Sequence, residues 1–121
     1  MTEHLWVLAG AALGGPARYL VDRGLRSRGQ TVLPWGTISV NIVGSFVLGL
    51  VLGLDSRHCL PQALTLGIGV GFCGALTTFS TFSYESVRLY ESGARVQAII
   101  NVLVSVFAAL AAVFLGYRLG S

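Results

Sequence analysis

Between Gly67 and Phe82 the chain reads Gly-Ile-Gly-Val-Gly-Phe-Cys-Gly-Ala-Leu-Thr-Thr-Phe-Ser-Thr-Phe. Gly67, Gly69, Gly71 and Gly74 weaken a helix, and the hydroxyls of Thr77, Thr78, Ser80 and Thr81 can bond their own backbone and loosen it further. A helix that breaks here is favoured over a continuous one. Inside a membrane such a break exposes carbonyls that hold a cation and amides that attract an anion. Phe79 and Phe82 are three residues apart and share a face where the helix resumes. Their positive ring edges, with the hydroxyls of Ser80 and Thr81 between them, form a surface that solvates a bare anion without a full positive charge. A fixed charge would hold the ion too tightly for conduction. The chemistry suits a small, hard anion.

Two amides belong with this cluster. Asn41 lies deep in one apolar stretch, and Asn101 lies four residues before Ser105 in another. A single membrane Asn commonly serves as glue between helices. Two of them, with a polar third segment, favour a lined pathway.

The elements that must position these residues follow from composition. The chain has 121 residues, 54% hydrophobic and 11% charged, against about 25% charged in soluble domains. No charge lies between Arg28 and Asp55, between Arg57 and Glu85, or between Arg95 and Arg118. These gaps exceed the roughly 20 residues that cross a bilayer. The expected architecture is all-α and integral to the membrane, with four transmembrane helices at about 4–19, 33–54, 61–90 and 95–117. One membrane domain, 1–121, then fills the sequence and leaves it no room for a separate catalytic unit. Glu3 and the lack of a basic start argue against a cleaved signal peptide.

All eight basic residues are arginine, and the net charge is +3. They sit at helix ends, which suits headgroup anchoring and not nucleic acid. Arg23, Arg26, Arg28 and Arg95 share a side, with Arg18 and Arg88 nearby, whereas Arg57 and Arg118 lie opposite. The positive-inside rule then places both termini outside. Cys59 and Cys73 fall in a loop and in mid-membrane, which suits neither a disulfide nor a metal site. In the second span Ser45, Gly49 and Gly53 recur every four residues, with Asn41 and Thr37 extending the stripe. Such a stripe admits a close helix, from the same chain or from a second copy. Glu85 either lines a mouth or faces headgroups at a span end, and the second reading is preferred.

Three stretches resemble the Fluc (CrcB) family of fluoride channels: Gly10-Ala-Ala-Leu-Gly-Gly-Pro-Ala-Arg-Tyr19, Trp35-Gly-Thr-Ile-Ser-Val-Asn-Ile-Val-Gly-Ser-Phe46 and Gly71-Phe-Cys-Gly-Ala-Leu-Thr-Thr-Phe-Ser-Thr-Phe-Ser-Tyr-Glu85. The third is the most specific, and the resemblance covers essentially the whole chain. It implies an antiparallel, dual-topology homodimer in the cell (inner) membrane, with two pathways for passive, selective export of fluoride. It also implies a structural sodium ion at the dimer centre, held by the backbone carbonyls of Gly74 and Thr77. By position, Phe79 and Phe82 match the pore phenylalanines, Asn41 the pore asparagine and Arg18 an arginine near the vestibule. Ser80 and Thr81 match hydroxyls beside the rings, and Ser105 with Asn101 belongs to a polar track on the fourth span. That track often continues further in the family, where this chain has Ala108, Ala109 and Ala112. The arginine imbalance fits equal insertion both ways poorly, so an oppositely oriented homologue is an alternative partner.

Two rivals remain. A small four-span, proton-coupled multidrug exporter needs a carboxylate in its first span, and no Asp or Glu lies between His4 and Arg18. A non-transporting membrane adaptor would not require a Thr/Ser/Phe cluster at a glycine-rich break. An enzyme is expected least, because neither His4 nor His58 lies deep in the membrane and no nucleophile has a base at useful spacing.

Overall fold

The computed structural model describes residues 2–26 and 34–121. Its elements are α1 (Thr2–Arg26), α2 (Trp35–Ser56), α3 (Gln62–Leu64), a π-helix (Thr65–Cys73), α4 (Gly74–Leu76), α5 (Phe79–Glu91) and α6 (Arg95–Gly120). The described residues are thus all-helical, and the third segment is broken as expected. The predicted start of the second span at Leu33, and Arg28 of the first loop, lie outside the described residues. The helices run past the predicted spans to Arg26, Ser56 and Gly120, because backbone hydrogen bonding continues beyond the predicted span ends.

Among the described residues, three helical stretches are long and apolar enough to cross a membrane: Trp35–Ser56, Gln62–Glu91 and Arg95–Gly120. The first helix is as long, but glycines, Pro16 and Arg18 dilute its apolarity. The chain is a membrane protein, and much of its apolar surface faces outward, including Leu103, Phe107 and Leu110 on α6.

The most extensive packing joins α2 to α6. A Cβ at Gly49 would strike the carbonyl of Val113, and one at Gly53 the carbonyl of Tyr117. Reciprocally, a Cβ at Gly116 would strike the carbonyl of Phe46, and one at Gly120 that of Leu50. Both helices therefore run parallel with their backbones in contact, a geometry that small residues every fourth position permit. The stripe on the second span is thus spent within the chain at its glycine end.

The other close pairing sets α1 against the π-helix. Side chains at Gly10 or Gly71 would collide with the backbone of Gly67 and of Val7 respectively. Long π-helices are rare and tend to mark functional sites. Gly67, Gly69 and Gly71 have weak α preference, and α1 fits tightly along Gly67 and Gly71.

Candidate functional site: the helix break and its polar column

The break consists of two residues. Thr77 has φ −79° and ψ 155°, and Thr78 has φ −148° and ψ 122°, so the chain is extended between α4 and α5. Extended backbone in a membrane needs replacement partners for its polar groups, and Asn41 supplies them. Thr78 N donates to Asn41 Oδ1 at 2.8 Å, while Asn41 Nδ2 donates to the Thr78 carbonyl at 3.2 Å. Thr78, buried itself, caps the resuming helix: its hydroxyl accepts from Thr81 N at 3.2 Å and donates to Thr81 Oγ1 at 3.1 Å. Ser80 Oγ lies 3.4 Å from the same hydroxyl.

These bonds determine which carbonyls lose their helical donors. Gly74 O would ordinarily accept from Thr78 N, which is turned to Asn41. Thr77 O would accept from Thr81 N, which is turned to the Thr78 hydroxyl. Cys73 O, by contrast, keeps Thr77 N at 3.0 Å and gains Thr77 Oγ1 at 2.8 Å. Gly74 O and Thr77 O, both hard oxygen donors, are therefore left with spare capacity, as are Ala75 O and Leu76 O, to which neither Phe79 N nor Ser80 N bonds.

The rings begin directly after the break. Phe79 and Phe82 have centroids 5.9 Å apart with planes tilted by 47°. Phe79 is 79% exposed, so its ring projects away from the rest of the chain. A cavity of about 550 Å³ lies beside them, walled by Asn41, Ser45, Gly74, Thr77 and Ser105 as well as the two rings. Ser80 and Thr81 join this site through Thr78 without lining the cavity, and Asn101 joins it through Ser105. Arg18, half-buried on α1, lies off that wall.

Toward the Arg95 end the polar groups continue. Asn101, fully buried, donates to Ser86 Oγ at 2.8 Å, and Ser86 donates to the Phe82 carbonyl at 2.8 Å. Ser105 Oγ donates to Asn101 Oδ1 at 3.4 Å. Thr37, also buried, donates to a carboxylate oxygen of Glu85. Glu85 thus turns inward to α2, where headgroup contact was the preferred expectation. Sequence reasoning missed Thr78 as the hub, Ser86 as the partner of Asn101, and the Thr37–Glu85 pair. The available signal was spacing: Thr37 stands one turn before Asn41, and Ser86 one turn after Phe82. Cys59 and Cys73 are both free thiols.

A helical membrane protein built around a broken, amide-clamped segment is the class that this fold and site define. The chain belongs to the CrcB-like (camphor resistance, CrcB) family, whose model matches residues 5–117. It is 50% identical over 121 residues to a protein of Frankia casuarinae named fluoride-specific ion channel FluC 1, covering 95% of this chain and 93% of that relative. A protein of the same name in Streptomyces avermitilis is 49% identical over 112 residues, covering 93% and 90% of the two chains. Fluoride-specific ion channel FluC of Geobacter metallireducens is 47% identical over 106 residues, covering 87% and 86%.

Proposed function

We propose that this chain forms a fluoride-selective channel for passive fluoride export across the cell membrane, working as two oppositely inserted subunits. The observation that carries the reading is the clamp of Asn41 on Thr78, which holds a mid-segment break beside two tilted phenylalanine rings in a chain of the CrcB family. The relatives' names supply the ion. Ring edges and hydroxyls are weak enough sites for an anion to leave as well as enter.

The open cavity and the outward ring of Phe79 support a pathway completed by a second subunit. Gly74 supports the same reading, since a Cβ there would meet nothing within 4 Å in its own protomer. The parallel register of α2 and α6 puts their N-termini at one end of the bundle, so Arg18, Arg23, Arg88 and Arg95 gather there and Arg57 and Arg118 opposite. That bias favours one orientation for this chain. The antiparallel partner is then a minority copy inserted the other way or an oppositely biased homologue.

The carbonyls of Gly74 and Thr77, freed of their helical donors, fit a hard cation. A sodium ion bound there would supply a positive charge offsetting part of the cost of a nearby anion. All four long segments, α1 included, cross the bilayer in this reading.

The test is efflux from liposomes holding the purified protein, followed with a fluoride electrode and repeated with chloride. Fluoride efflux without chloride efflux is expected. No fluoride efflux from a folded, assembled sample, with or without a co-expressed homologue, overturns the reading.

A further inference from the structure

On α2, Thr37, Asn41 and Ser45 stand at successive four-residue steps, so they form one column along one face. Two members are committed: Thr37 to Glu85, and Asn41 to the backbone of Thr78. Ser45 differs. Its hydroxyl makes no hydrogen bond among the described residues, not even to the carbonyl one turn earlier in its own helix. Ser86 and Thr77 do make that bond. A serine inside a membrane helix normally takes that local bond to avoid an unpaired hydroxyl in hydrocarbon. Ser45 instead lines the cavity shared by Phe79, Phe82 and Ser105.

The register explains what it faces. Gly49 meets Val113 and Gly53 meets Tyr117, so one turn back Ser45 falls against the turn of α6 that holds Ala109 and Ala112. Ala109 lines the same cavity. The polar column of α6 ends at Ser105, and past it α6 offers only methyl groups to the cavity. Successive members of a column are about 6 Å apart along the axis. An anion leaving the level of Asn41 and Ser105 would therefore meet no donor on α6 over the next turn.

We infer that Ser45 is a fluoride-binding residue of the pathway, donating its hydroxyl to the ion at the depth where α6 has none. The inference rests on the fluoride-channel reading and extends it to a residue outside the ring pair and its hydroxyls. Its chemistry is direct. A neutral O–H binds fluoride strongly by charge-assisted hydrogen bonding, without the trapping that a cationic group would cause.

Fluoride efflux from liposomes is measured for the unmodified protein, Ser45→Ala, Ala109→Ser and the double variant, each first checked for its assembled state in detergent. Ser45→Ala is expected to slow efflux about tenfold, the scale of one hydrogen bond to a charged group. The double variant is expected to recover most of that loss, because Ala109→Ser returns a hydroxyl to the same depth from the other helix. A structural role for Ser45 would not be rescued from α6. Unchanged efflux in Ser45→Ala overturns the inference while leaving the channel reading intact, as does a loss that Ala109→Ser fails to repair. If Ser45→Ala conducts normally but its assembly dissociates more readily, the hydroxyl bonds the other subunit and the inference fails. Absence of fluoride efflux from the unmodified protein removes both readings together.

Discussion

At the residue scale the decisive feature is that one carboxamide replaces two missing backbone partners. Asn41→Ala removes both bonds to Thr78 and leaves its N–H unpaired, at a cost of about 1–3 kcal/mol for the stranded group. The expected outcome is lost fluoride efflux together with a lower unfolding temperature in detergent, read by a thermal shift assay. Phe82→Ile removes a ring without touching any hydrogen bond of the clamp. Efflux should fall severely in that variant while size-exclusion elution is unchanged, and normal flux would count against the ring as pathway. The difference between the two variants separates a residue that builds the break from one that uses it. Asn41 was legible in the sequence as an amide deep in the second span, but its partner was not. Which backbone groups need replacing depends on the φ and ψ at which the break falls, and Thr77 and Thr78 look alike in one dimension.

At the element scale two glycines in the same helix should behave differently. A Cβ at Gly10 would collide with the carbonyl of Gly67, whereas one at Gly15 meets nothing within 4 Å. Gly10→Ala should therefore force α1 away from the π-helix, costing about 1–3 kcal/mol as overpacking. Gly15→Ala should lose far less, since only the following Pro16 restricts a side chain there. Thermal unfolding of the two variants side by side checks this, and equal losses would contradict the close packing of α1. The glycines of 67–74 announced a weakened helix, and the break after them was expected. The π winding was not, because glycines weaken an α-helix without specifying which other winding replaces it. The stripe of Gly49 and Gly53 was legible as an interface, yet its partner, α6, emerges only from the parallel register with Gly116 and Gly120.

At the scale of the whole molecule the question is what meets the open face. Gly74→Ala costs nothing inside the protomer, since its Cβ has no neighbour within 4 Å, and alanine is the better helix former. If two copies meet at the break, the variant should be folded but monomeric, as judged by light scattering on the eluted protein. A Gly74→Ala sample that stays dimeric would move the interface elsewhere. Replacing sodium with a large organic cation during purification should likewise weaken assembly without changing helix content, measured by elution volume and circular dichroism. The three long apolar segments and their order could be read from charge-free stretches, because the bilayer imposes a length that composition reveals. The first segment was the exception to a clean reading, as its glycines, Pro16 and Arg18 lower its apolarity.

The glycine contacts between α2 and α6 have one more consequence, for how this sequence can change over time. They lock two backbones at a fixed offset, so the number of residues between Ser105 and Gly116 is an indexing distance and not a spacer. Inserting or deleting a single residue there would turn everything before it by about 100° relative to the locked glycines. Asn101 would then swing off Ser86, and Ser105 off the cavity. Substitutions on the outward face of α6 should be widely accepted in a deep mutational library selected on fluoride, while length changes between those two positions should be purged almost completely.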